Sequence, residues 1–485
     1  MAHPREDLLR LAPEIVLCAT GILLMLVEPF LSRANRGVVA VIAAAGSALA
    51  LVATLYPAMH PGPAFGGLLR ADTFSVFVHF IVEGVALLVI VGSSDYLERE
   101  HIQHGEYYAL VLFATAGMGV MASAAELMTA FLGLEMSSIS TYILASYRRD
   151  ALRSNESAMK YFLLGSFATA FFLYGIALTY GATGTTQLVH MTLTNVPGAA
   201  TLLDLGLALM LVGLSFKVAV APFQLWTPDV YEGAPAPVTA LMSSGPKAAA
   251  FAILLRIIGT VDVAGPFWFW ALCVSAVLTM FAGNLAALAQ SNVKRMLAYS
   301  SIAHAGYIFV ALAAAAATDQ EALGIAAVLY YLAVYALMKL GSFLLVAQLG
   351  GESERYIDLD DFRGLAARQP AAAACFALFL LSLLGLPVTA GFLGKFYIFN
   401  AALASNLVWL AVVLAINSVI ASFYYLRVIV VMYMREPRGE RAAAPMPWAL
   451  ALVLLVAAAG TVYLGLFPGH VMGFAAHAAA SLPLH

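Results

Sequence analysis

The chain has 485 residues, of which 62% are hydrophobic and 11% charged, with a formal net charge of -3. Soluble domains carry about 25% charged residues, so the composition excludes a water-soluble globular protein and defines an integral membrane protein. Cys18, Cys273 and Cys375 lie far apart inside apolar runs, which excludes a disulfide framework and any metal or iron-sulfur ligand spacing.

Apolar runs long enough to cross a bilayer, about 20 residues at helical rise, recur along the whole length, and none alternates with the period of two of a membrane barrel. Fourteen helical spans are predicted, at 8–31, 37–57, 72–95, 106–123, 126–147, 155–181, 201–229, 237–260, 267–290, 293–315, 321–349, 371–400, 407–434 and 446–467. The opening MAHPREDLLRLAPE is mixed in charge and runs straight into the first span without a small-residue cleavage pattern, so the first helix is expected to stay. Counting from that helix, loops on one side hold Arg33, Arg36, Arg99, Arg148, Arg149, Arg153, Lys294, Arg295, Arg355, Arg363, Arg368, Arg435, Arg438 and Arg441. The other side, with both termini, holds only Arg5, Arg10 and Arg70. By the positive-inside rule the first side is cytoplasmic and both termini face the periplasm.

Inside the spans the polar residues follow a different rule. Glu83, in HFIVEGVALL, is either a protonated carboxyl bonded to a neighbouring helix or part of a site. Glu135, in FLGLEMSSISTYIL, and Lys160, in ESAMKYFLLGSF, lie on consecutive antiparallel helices and are expected to face each other. Lys217, in LVGLSFKVAVAPF, is followed by Pro222 and Pro228, then by Pro235 and Pro237; Lys247 comes in the next span. His304, in YSSIAHAGY, sits among Tyr299, Ser300, Ser301 and Tyr307, a composition suited to a hydrogen-bonded water chain or to a satisfied structural histidine. Lys339 follows, and Lys395 is preceded by LLGLPVTAGFLG, with Gly385 and Pro387.

Five of the six lysines therefore fall inside spans, while Lys294 is placed in a loop and the loop cations are nearly all arginine. Arginine keeps its proton in a protein, whereas lysine can give one up. A mid-membrane lysine costs about 2.5–3.5 kcal/mol on insertion scales, so a set of five calls for a function. Moving one charge across a membrane costs about 2.3 kcal/mol per 100 mV, which puts proton movement on the same scale. Proline removes a backbone donor, so the spans of Lys217 and Lys395 should both be interrupted at membrane depth. Such breaks are tolerated where the freed backbone is buried in protein or lines water, and they point to ion sites in transporters. Lys160 and Lys339 are 179 residues apart, and Lys217 and Lys395 are 178 apart. This shift spans five helices, an odd number, so the second unit must lie upside down relative to the first. The expected division is a three-helix segment at 1–105, inverted repeats at 106–260 and 261–434, and a C-terminal helix and tail at 435–485.

The strings FKVAVAPFQLWTPDVYEGAPAPV, NVKRMLAYSSIAHAGY and GLPVTAGFLGKFYIF resemble the N-type antiporter-like membrane subunits of proton-pumping NADH:quinone oxidoreductase, respiratory complex I. The resemblance runs over nearly the whole chain and is weakest before residue 100. M-type relatives usually carry glutamate at the position of Lys395, and L-type relatives add a long lateral helix. The resemblance implies that Glu135 and Lys160 form a modulating pair, Lys217 and Lys247 an inner relay, and Lys395 the outlet-side lysine. Lys339 departs from it, since N-type chains often hold a neutral residue there. It also implies that NADH, FMN, iron-sulfur clusters and quinone belong to partner subunits; the chain has no Gly-rich dinucleotide fingerprint. Its neighbours in a bacterial membrane would be an M-like subunit on one flank and K-like and other small subunits on the other, with no nucleic acid. The alternative functions are a subunit of a multi-subunit cation/proton antiporter or of a membrane-bound hydrogenase. TPDVYEGAPAPV together with Lys395 argues for the quinone reductase.

Overall fold

The computed structural model describes residues 4–31, 37–102, 104–194, 197–260, 266–317, 321–437 and 445–483. Arg33, Arg36, Arg438 and Arg441 of the charge argument lie outside the described residues. The chain begins with α1 (Pro4–Arg10), α2 (Ala12–Val27), α3 (Gly37–Ala53) and α4 (Leu55–Met59). A small hairpin follows, β1 (Gly62–Ala64) antiparallel to β2 (Leu69–Ala71), with Gly62 opposite Ala71. Next come α5 (Thr73–Arg99), α6 (Gly105–Ser123), α7 (Leu127–Ala145), α8 (Leu152–Thr183), α9 (Ala199–Val218), α10 (Trp226–Gly233) and α11 (Ala236–Ile258). The remainder is α12 (Pro266–Leu288), α13 (Val293–Ala315), α14 (Glu321–Leu349), α15 (Leu365–Arg368), α16 (Pro370–Leu384), α17 (Ala390–Ala404), α18 (Val408–Met434), α19 (Trp448–Leu466) and α20 (Gly469–Ala480).

Thirteen helices among the described residues are long and apolar enough to cross a bilayer. The apolar α16 and α17, of 15 residues each, together make the fourteenth crossing, so the helical membrane architecture follows the sequence expectation, with the small hairpin as the addition. The short C-terminal helix α20 was not anticipated as a separate element. It packs on α5 and α14, and the Ser481 hydroxyl beyond it accepts from the Phe74 N–H at 3.1 Å. At the same end of the bundle Arg10 donates to the Pro63 carbonyl at 2.7 Å, so both ends of the described chain meet residues 60–74.

Helix ends are set by short polar residues. Asp72 caps α5, accepting from the Ser75 N–H while Ser75 returns the bond, and Asn292 caps α13 by accepting from the Arg295 N–H; each satisfies a donor that a helix N-terminus leaves open. Every residue of α11 is buried, which makes it the axis of the bundle, with α13 and α14 beside it. Outer helices keep apolar side chains such as Phe162, Leu163 and Phe167 exposed, which costs nothing where lipid tails replace water.

Both discontinuous crossings are the fourth of a five-crossing run, in α6–α11 and in α12–α18. The third crossing of each run carries Lys160 or Lys339, and the fourth carries Lys217 or Lys395. The breaks differ in detail. α9 stops one residue after Lys217, where Ala219 takes a left-handed conformation at φ 64°, and Pro222 lies in the connection. Pro228 does not break a helix as expected: it sits in the first turn of α10, where an absent N–H costs little. In the second run Gly385, at φ 92°, closes α16, Pro387 follows, and Lys395 lies in the second turn of α17.

Candidate functional site

The first break is satisfied by protein rather than left open. The Trp226 indole N–H donates to the Phe216 carbonyl at 2.9 Å, and the Ala221 N–H donates to Thr279 Oγ1 at 2.9 Å. The Lys217 side chain is thereby fixed in the last turn of α9, 4% exposed. Its Nζ donates to Ser138 Oγ at 2.8 Å and to the Tyr161 hydroxyl at 3.2 Å, and Tyr161 stacks flat on Trp226 at 4.5 Å between centroids. Glu135 lies one turn before Ser138 on α7, and its Oε1 is buried without a hydrogen-bond partner.

The expected Glu135–Lys160 contact is not an ion pair here. Lys160 Nζ bonds Glu156 and Asp229, both at 2.8 Å, and its side chain is 42% exposed. Consecutive helices are antiparallel as expected, but Lys160 occupies the face of α8 that meets α10, where carboxylates are available. Asp229 also accepts from Arg295 at 2.8 Å, and Arg295 reaches Glu232 at 2.7 Å. These charges line a polar cavity of about 230 Å³ together with Arg153 and Ser157.

From the end of the first run through the second, the surroundings are drier. Lys247 follows Pro246, whose missing N–H frees the Met242 carbonyl one turn back; the Tyr231 hydroxyl fills that place at 3.2 Å. Lys247 Nζ donates to Ser301 Oγ at 2.6 Å and to the Ser301 carbonyl at 3.0 Å, and Ser301 Oγ bonds the Tyr335 hydroxyl at 2.6 Å. Lys339 Nζ donates to Ser300 Oγ and to the Leu297 carbonyl, each at 2.8 Å. Ser300 bonds the Tyr425 hydroxyl; the same hydroxyl bonds His304 Nε2 at 3.0 Å, and His304 Nδ1 bonds the Tyr331 hydroxyl. The result is an unbroken line, Lys339–Ser300–Tyr425–His304–Tyr331. Lys395 ends this region, donating to the Leu384 carbonyl at the break at 2.8 Å and lying 4.9 Å above the Tyr307 ring. A Cβ on Gly385 would stand 3.2 Å from Lys395 Cδ, so glycine there supplies both the left-handed turn and room for the lysine.

Two buried charge pairs frame the site. Lys294, expected in a loop, is instead in the first turn of α13 and fully buried. It donates to Glu354 Oε2 at 2.6 Å and to the Ala234 carbonyl. Glu354 Oε1 accepts from the Tyr96 hydroxyl at 2.6 Å and from the Ala236 N–H at 2.7 Å. Burial alone would push the Glu354 carboxyl up, but the Lys294 ammonium and the three donors outweigh it and hold it below the usual carboxylate range. Arg256, near the end of α11, grips Asp72 with two bonds of 2.9 Å and donates to the Ala122 carbonyl at 2.8 Å. Sequence reasoning missed both pairs, and also Ser138, Tyr161, Asp229, Tyr331, Tyr335 and Tyr425. The available signals were Ser138 three residues after Glu135, and an arginine inside the apolar ILLRII.

Among the described residues no group of three or more His, Cys, Asp or Glu is placed to hold a metal ion. Buried ammonium groups joined by hydroxyls and an imidazole, each able to donate and accept, set between two interrupted crossings, define an antiporter-like membrane protein. Residues 124–421 match the family described as "NADH:quinone oxidoreductase/Mrp antiporter, TM". The chain is 49% identical to NADH-quinone oxidoreductase subunit N 1 of Solibacter usitatus, with 98% of each chain covered. A chain of respiratory complex I from Thermus thermophilus is 37% identical, with 96% of this chain and 99% of that one covered and a TM-score of 0.80. A chain of the membrane-bound sulfane sulfur reductase, an archaeal respiratory membrane complex, is 26% identical, with 99% and 98% covered and a TM-score of 0.87. The chain belongs to the NADH-quinone oxidoreductase subunit N family, and the antiporter and hydrogenase alternatives are not favoured.

Proposed function

We propose that this chain is the membrane-arm subunit of a bacterial NADH:quinone oxidoreductase that carries protons through its buried polar line, driven by quinone reduction in other subunits. The observation that carries the reading is the line from Lys339 through Ser300, Tyr425 and His304 to Tyr331. A proton released by an ammonium at one end can pass along it by exchange of donor and acceptor roles. Lys217 and Lys247 would serve as stations toward the first half and Lys395 as the outlet station, with Glu135 modulating Lys217 across Ser138. NADH, FMN, iron-sulfur clusters and quinone would bind partner subunits, an M-like neighbour on one flank and K-like and other small subunits on the other.

The repeats would run over 106–260 and 261–434, supported by a discontinuous fourth crossing in each. The arginine-rich loops support an inner-membrane orientation with both termini periplasmic. The test uses the assembled complex in sealed vesicles. Lys217→Ala or Lys395→Ala should leave NADH oxidation in place and remove most quinone-coupled proton transport; undiminished transport in both variants overturns the reading.

A further inference from the structure

The first crossings, outside the lysine series, hold a second buried titratable group. Glu14, in the first turn of α2, His79 and Glu83, one turn apart on α5, are 4%, 3% and 0% exposed. His79 Nδ1 lies 2.7 Å from the Ser75 carbonyl, which only accepts, so Nδ1 carries a hydrogen. His79 Nε2 lies 2.8 Å from Glu14 Oε1. One further proton must lie between these two atoms, on the imidazole or on the carboxyl; without it a carboxylate would face an imidazole lone pair. Glu14 Oε2 is buried with no hydrogen-bond partner. Helix α6 makes space for the pair with Gly119, where a Cβ would stand 2.8 Å from Glu14 Oε1 and 3.0 Å from His79 Nε2.

Glu83 has a partner that can change roles. Thr54 Oγ1 lies 3.1 and 2.9 Å from the two Glu83 oxygens and 3.1 Å from the Ala50 carbonyl, yet a hydroxyl has one hydrogen. With Glu83 ionised, Thr54 donates to it. With Glu83 protonated, the carboxyl donates to Thr54, and Thr54 donates to Ala50. Both arrangements are satisfied without moving a heavy atom. A cavity bounded by Arg10, Leu11, Pro57, Ser75 and Ser123 reaches His79, with about 10 Å³ of space, about one water. Arg10 at its mouth is held by the His60 and Pro63 carbonyls, and Cys18 lies one turn beyond Glu14 on α2.

We propose that Glu14, His79 and Glu83, with Thr54, form a proton-exchange site that opens toward the end of the bundle holding α1 and the β-hairpin. It goes beyond the proposed lysine path and stands or falls separately from it. The test is infrared difference spectroscopy of the assembled complex stepped between about pH 5 and 8, with proton uptake measured in parallel. The expected result is a carboxyl C=O band that shifts in D2O, disappears in Glu83→Gln and moves in frequency in Thr54→Val. Uptake over the same step should fall by about one proton per chain in Glu83→Gln. Spectra and uptake identical in wild type and Glu83→Gln would overturn the site and leave only a structural clamp between α2 and α5. Lys217→Ala should keep the band; if that variant and Lys395→Ala both pump normally, the lysine reading fails while this site stands.

Discussion

Lys160 and Lys339 occupy the same place in the two runs of crossings and live in opposite surroundings. Lys160 is 42% exposed and lies between two carboxylates. Lys339 is fully buried and donates only to a carbonyl and a hydroxyl, with the Tyr335 and Phe343 rings about 6 Å away. An ammonium beside carboxylates in a wet cleft is fixed by its counter-charges. One among neutral acceptors is held by dipoles alone, so its protonation follows the charge around it, and the hydroxyl line begins at that lysine.

The strongest way to sharpen the contrast uses Lys294, which is as buried as Lys339 but has a carboxylate. Glu354→Gln would strand that ammonium, at a cost of about 3–5 kcal/mol to stability, read as lost thermal stability of the complex. Because the folded Glu354 carboxyl lies below its unfolded value of about 4.3, its contribution is fully present above that value. It is lost as pH falls through the folded one. Melting of the wild type should therefore weaken on acidification below about pH 4, and Glu354→Gln should remove that part of the slope.

Next in size, Lys339→Gln should lower proton transport about a hundredfold with assembly intact, whereas Lys160→Gln should change it by about twofold at most. Equal losses would break the comparison. Tyr425→Phe cuts the only hydroxyl joining Ser300 to His304 among the described bonds, and should cost about tenfold. Tyr161→Phe should cost less, because Lys217 keeps Ser138. The smallest effect is Tyr231→Phe, which leaves the Met242 carbonyl bare beside Pro246 and should cost about 1 kcal/mol of stability without changing transport.

The crossings were legible because run length and apolarity decide them residue by residue. The two breaks were legible from Pro222 and from Gly385 with Pro387. Facing was not: spacing makes α7 and α8 neighbours, but only packing turns Lys160 toward Asp229, 69 residues away. Lys294 was misplaced for a related reason, since its counter-charge comes from Glu354, 60 residues on. The tyrosines of the polar line also escaped detection, because a tyrosine in an apolar run is usually packing, and its hydroxyl acquires a role only when a partner arrives from another helix.

Asp72 and Arg256 are joined across 184 residues, and this distance bears on how the chain is made. While the ribosome is still short of residue 256, the aspartate at the start of α5 has the partly exposed Arg70 guanidinium, 3.7 Å away, but not its buried two-bonded partner. The buried partner comes only with α11. A chain interrupted before that point should hold the start of α5 less firmly, so this clamp ties the early helices to one that is made much later.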